Sequence, residues 1–125
     1  MQSEGFNELF LNCMPIFIAL GDEVRLSIIE GLARAGLLYD DQGNHVANMG
    51  DNLKPRKGMN VKDITELTRL SRPAISHHLK ILKDAGLISV RQEGTANYYY
   101  LTIGDSTKKL CSLGQYFQEI MNPVT

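Results

Sequence analysis

From Phe6 to Leu20, apolar residues recur at helical spacing. Phe6, Leu9, Phe10, Cys13, Phe17 and Leu20 share one stripe, which predicts a first helix. Pro15 lies inside this run and removes a backbone donor, so a kink near Leu11 to Pro15, or a restart there, is expected. Gly21 and Asp22 interrupt the pattern, and Asp22 stands where an N-cap is needed for a second periodic run through Val24, Leu26, Ile28, Ile29 and Leu32. That helix should end near Ala35, with Gly36 just beyond it.

Between Tyr39 and Asn60 the periodicity disappears. Gly43, Gly50 and Gly58, four asparagines before Val61 and Pro55 break it repeatedly, so residues 39–60 read as a long loop, into which a short helical turn around His45 to Leu53 fits. Helical spacing returns at Val61, Ile64, Leu67 and Thr68. A new start follows at once, with Ser71 as N-cap, Pro73 in the first turn, and Ile75, Leu79 and Leu82 at spacings of four and three. Ala85 and Gly86 close this fourth helix. Leu87, Ile88 and Val90 then begin a β-type alternation that pauses from Glu93 to Asn97 and resumes at Tyr98 to Thr102, the pattern of a β-hairpin. A last helix from about Asp105 carries Leu110, Leu113, Phe117, Ile120 and Met121.

Two short helices joined by a tight turn at Arg69 to Ser71 and followed by a hairpin have the order of a winged helix-turn-helix. The predicted fold is mainly α with a small β-hairpin, in the order α-α-α-α-β-β-α. It forms one domain over 1–125, with dimerisation helices at 5–20 and 105–122, the helix-turn-helix at 61–85 and the wing at 88–102. With Ile75, Leu79 and Leu82 inward, the fourth helix turns Arg72, Pro73, Ser76, His77 and Lys80 outward. Such a helix enters a major groove about 12 Å wide, where residues near its N-terminus reach base edges. Arg72 suits guanine, Ser76 and His77 suit bases or phosphates, and Lys80 suits the backbone.

Charge sharpens this picture. The net charge is only −1, yet nine basic residues face three acidic ones between Lys54 and Arg91, a local +6, while the remainder carries four basic against eleven acidic residues, or −7. A cationic cluster of this kind is what a polyanion partner requires, because counterion release depends on the phosphates neutralised locally. A hydrophobic fraction of 43% over 125 residues allows one domain with a real core. No apolar run reaches 18 residues and no signal-peptide pattern stands at the start, so no membrane role and a cytoplasmic location are expected.

Leu20 to Leu32 (LGDEVRLSIIEGL) and Leu70 to Tyr100 (LSRPAISHHLKILKDAGLISVRQEGTANYYY) resemble the ArsR/SmtB family of winged-helix repressors. The second stretch carries the more specific match: Ser76 to Leu79, Ala85 to Ile88, and Arg91 to Gly94 before a tyrosine-rich strand. The resemblance covers about two thirds of the chain. It implies a homodimer built from the first and last helices, two recognition helices reading an inverted-repeat DNA operator, and repression released by a small signal such as a metal ion. It places Arg72, Ser76, His77 and His78 on the recognition helix and Arg91 with Gly94 on the wing; the N-cap Ser71 and the tip residue Thr95 are further DNA-contact candidates beside them. Thr95 stands where family members often carry arginine, which weakens the minor-groove contact of that tip.

The usual metal sites of such repressors are not present in the sequence. Val61 to Leu70 lacks a Cys-x-Cys pair, and Asp105 to Asn122 offers Asp105 and Glu119 without a histidine. His77 and His78, consecutive on a helix, point about 100° apart and cannot share one ion. His45 stands alone in the loop. No cofactor is expected, and the inducer is not legible. Cys13 and Cys111 both fall on the predicted dimerisation helices, so thiol redox chemistry or a thiophilic metal there is the one sensor hypothesis the residues offer. No catalytic constellation or phosphate-cradling glycine loop argues for an enzyme. The principal rival is a winged helix used only for protein contacts, a class that usually loses the basic face.

Overall fold

The structure, a computed structural model, describes residues 3–35, 38–39, 45–46 and 58–122. Among the described residues, five helices and two small antiparallel ladders follow in the order α1 (Ser3–Leu20), α2 (Glu23–Ala35), β1 (Leu38–Tyr39), β2 (His45–Val46), α3 (Val61–Thr68), α4 (Arg72–Asp84), β3 (Ile88–Glu93), β4 (Ala96–Leu101) and α5 (Gly104–Met121). No helix among the described residues is long and apolar enough to cross a membrane.

Local chemistry sets most of the boundaries. Asp22 caps α2, its Oδ2 accepting from the Arg25 amide at 3.0 Å. At the start of α3, Asn60 and Asp63 form a reciprocal capping box, with Asp63 N donating to Asn60 Oδ1 at 2.8 Å and Asn60 N to Asp63 Oδ2 at 3.1 Å. Arg69, at φ 60, takes the left-handed conformation that ends α3. Ser71 then opens α4, its Oγ accepting from Ala74 N. Gly86, at φ 78, lets the chain reverse after α4, as Gly86 N donates to Lys83 O and Leu87 N to Leu82 O, both at 3.0 Å. This pair of bonds is a Schellman closure, and it brings buried Leu87 back onto the core beside Leu82.

The core lies where α1, α2, α3 and α4 meet the base of the hairpin. Ile16, Ala19, Ile28, Leu32, Ile64, Ile75, Leu79, Leu82, Leu87 and Ile88 form one buried cluster. All three inward residues expected of α4 are in it. Strands β3 and β4 pair from Ile88↔Leu101 to Glu93↔Ala96, so the loop is only Gly94 and Thr95, tighter than the pause at 93–97 predicts. Gly94 at φ 62 supplies the positive dihedral that a two-residue hairpin loop requires.

The structure refines three sequence expectations. Helix α1 runs without a restart through Pro15, because Pro15 and Leu11, whose carbonyl loses its donor, are both exposed and water can satisfy that oxygen. The inward stripe of α1 is Cys13, Ile16 and Ala19, while Phe17 is exposed; on α2, Leu26 is exposed as well. Within 39–60, His45–Val46 is extended and pairs with Leu38–Tyr39, so no helical turn begins at His45. Residues 47–57 lie outside the described residues.

Candidate nucleic-acid interface

Burial of Ile75, Leu79 and Leu82 fixes the rotational phase of α4, which leaves Arg72, Pro73, Ser76, His77 and Lys80 exposed together with the cap residue Ser71. Lys80 Nζ pairs with Asp84 Oδ2 at 2.8 Å along the solvent side, an exposed i,i+4 pair that yields readily to a phosphate. Arg72 has no counter-ion among the described residues.

His78 departs from the set. Its side chain is only 15% exposed and turns toward α2, where Nδ1 lies 3.0 Å from an Arg25 guanidinium nitrogen and 3.8 Å from Asp22 Oδ2. The reason is helical phase: one residue beyond exposed His77, the chain has rotated toward the body. His78 therefore turns away from the exposed face to which His77 belongs.

The wing stands beside the start of α4. A cleft of about 280 Å³ separates the two, with Lys62, Arg72, Thr95 and Asn97 among its walls. Further along, a hollow of about 340 Å³ opens between α4 and β4, bordered by Ser76, Lys80, Lys83 and Tyr99. Arg91 is braced on the wing, its guanidinium donating to Glu93 Oε2 from Nε at 3.0 Å and lying 5.7 Å above the Tyr100 ring. Gly94 and Thr95 form the exposed tip. Lys62 and Asn97 join this surface although the sequence did not single them out as contacts; the cationic excess of 54–91 pointed to Lys62, and nothing pointed to Asn97.

The two thiols occupy unlike settings and are not bridged. Cys13 is fully buried and its Sγ donates to Lys109 O at 3.4 Å, whereas Cys111 is exposed on the chain taken alone. Among the described residues no three His, Cys, Asp or Glu side chains cluster as a metal site.

Residues 53–90, which contain α3, its turn and α4, match the family described as "Bacterial regulatory protein, arsR family". Over 106 residues, covering 85% of this chain and 94% of the relative, the sequence is 35% identical to an uncharacterized HTH-type transcriptional regulator of Methanocaldococcus jannaschii. The chain belongs to the arsR family. This arsR-family protein is also 46% identical over 95 residues to the arsenical resistance operon repressor of Bacillus subtilis, covering 76% of the chain and 70% of that protein. Among solved structures, an ArsR-like transcriptional regulator from Rhodococcus superposes with a TM-score of 0.65 at 21% identity, over 90% of this chain and 83% of the other. A homodimeric winged helix-turn-helix DNA-binding domain from Mycobacterium bovis gives a TM-score of 0.58 at 25% identity, over 96% and 91%. The fold of this arsR-family chain is accordingly the winged helix-turn-helix, and the protein is a transcriptional regulator, not an enzyme.

Proposed function

We propose that the protein binds double-stranded DNA as a homodimer, recognises an inverted-repeat operator in the cytoplasm, and represses transcription until a small signal releases it. The observation that carries this reading is the division of α4: its apolar side is locked into the core, and its polar, cationic side is exposed next to the wing tip. Arg72, Ser76 and His77 then serve as base or phosphate contacts, Ser71, Pro73, Lys80 and Lys62 set the helix against the backbone, and Arg91, Gly94 and Thr95 reach the adjoining groove.

The dimer rests on a second feature. Met14, Phe17 and Ile18 on α1 and Phe117, Ile120 and Met121 on α5 leave large apolar surface uncovered in the single chain. Contiguous apolar surface of this kind marks an interface. The two helices are already stitched together by aromatic contacts, Phe6 to Tyr116 at 4.8 Å and Phe10 to Phe117 at 5.8 Å, so they meet a partner as one layer. Twofold symmetry would then present two copies of α4 to half-sites about one helical turn apart. The arsenical resistance relative is named a repressor and the M. bovis domain a homodimer, which supports both parts of the proposal.

A gel shift on the promoter of the protein's own operon, repeated across a salt series and paired with sedimentation, tests it. Binding by a dimer that weakens steeply with salt is expected. A monomer, or no binding to any duplex at low salt, points to a protein-contact module instead.

A further inference from the structure

Arg25, which lies outside the DNA face and the apolar face, joins two elements with one side chain. From the first turn of α2 its guanidinium donates backward to the end of α1, from Nε to Ala19 O at 2.7 Å and from one terminal nitrogen to Ile18 O at 3.2 Å. The other terminal nitrogen lies 3.0 Å from His78 Nδ1, in the middle of α4. Arginine has only donors, so His78 accepts at Nδ1 and its ring proton sits on Nε2. Asp22 holds the base of the arrangement, accepting from the Arg25 amide at 3.0 Å and lying 3.8 Å from His78 Nδ1. The exposed ring of His77 stands 5.7 Å from that of His78.

We infer that Arg25 is a positioning residue for DNA recognition: it fixes α4 relative to α1, and so sets the distance between the two recognition helices of the dimer. This inference rests on the proposed DNA-binding dimer. In that dimer α1 belongs to the layer shared with the partner, and α4 carries the contacts. Any rotation of α4 against α1 is therefore applied twice, once in each protomer, and changes the half-site separation the pair accepts. A planar fork with several fixed donors resists that rotation better than a single flexible charge. Because consecutive helical residues differ by about 100°, tethering His78 also fixes the direction of His77 on the exposed side.

A structural role alone, neutralising the carbonyls at the end of α1, would be met by lysine, since a cation near a helix C-terminus suffices. The test uses this difference. A duplex bound by the wild-type protein is selected from a random library, and versions with the half-sites one base pair closer or farther apart are prepared. Affinities for all three are measured by fluorescence anisotropy, with melting temperature and sedimentation as controls. Arg25→Lys is expected to remain a folded dimer, weaken binding at the selected separation by about tenfold, and flatten the preference among the three. His78→Asn, whose amide oxygen replaces Nδ1, should stay within about twofold of wild type. His78→Gln, which places its amide near Nε2 instead, should behave like Arg25→Lys. Should Arg25→Lys fail to fold, the contrast between the two His78 variants decides. Spacing profiles that match wild type in Arg25→Lys, or equal behaviour of the His78 variants, would overturn the inference while leaving DNA binding intact. Failure of the wild-type protein to bind any duplex removes the underlying reading instead, and this inference with it.

Discussion

Met59 and Tyr99 exchange both of their backbone hydrogen bonds, Met59 N to Tyr99 O at 2.9 Å and Tyr99 N to Met59 O at 2.8 Å. Strand β4 is thereby held on both edges, by β3 on one side and by the segment entering the helix-turn-helix on the other. The wing is not a free flap, because its strand is pinned to the residue just before the Asn60 cap of α3.

Gly58 makes that approach feasible. A Cβ at this position would lie 1.6 Å from Tyr99 O, a backbone atom that cannot move without breaking the ladder. Gly58→Ala should therefore cost about 2–3 kcal/mol, at the upper end of ordinary substitutions. Urea denaturation measures it, and a loss under about 0.5 kcal/mol, the level of a neutral surface change, would show that the bridge is dispensable.

The apolar layer gives a prediction about assembly. Phe17→Asp and Ile120→Asp each place a charge on surface that is 41% and 54% exposed in the single chain, where the fold itself tolerates it. In the proposed dimer the same charge is buried without a partner, which should weaken association by at least about 100-fold. Sedimentation at micromolar concentration should find monomers with little change in helicity. Two intact dimers would place the interface elsewhere.

Asp22 predicts a pH dependence. The Arg25 amide bonded to its carboxylate holds its pKa below the ordinary value, aided by the charge of Arg25 and opposed by desolvation. A carboxyl with a lowered folded-state pKa stabilises the protein above its unfolded value, and that contribution is lost as pH falls through the folded value. Asp22→Asn keeps a capping oxygen and removes the charge. It should melt lower than wild type at neutral pH, with the gap closing below about pH 4. A gap that is constant from neutral to strongly acidic conditions would show that the charge contributes nothing.

The parts of this molecule legible in the sequence are those decided within a few residues. Ser71, the spacing of Ile75, Leu79 and Leu82, and Gly86 define α4 locally, and the structure buries all three apolar residues. Helix α1 is different. With Leu11, Met14, Phe17 and Ile18 apolar as well as buried Cys13, Ile16 and Ala19, the periodic pattern does not tell the stripe facing the core from the stripe left for a partner, so exposed Phe17 shares the predicted stripe with Cys13 and buried Ile16 falls off it. His77 and His78 are told apart only by the phase of the helix, which leaves His77 exposed and turns His78 toward Arg25. Arg25 gives no local signal at all: its partners, Ile18, Ala19 and His78, are brought together only when α1, α2 and α4 pack.

If the exposed side of α4 reads DNA sequence, Arg72 at its N-terminus is the residue whose loss reveals it. Wild-type and Arg72→Ala proteins are titrated against the selected duplex and against random duplex at one salt concentration. A loss of about 1–3 kcal/mol on the selected duplex with little change on random DNA is expected; unaltered affinity for both would mean that α4 does not read sequence.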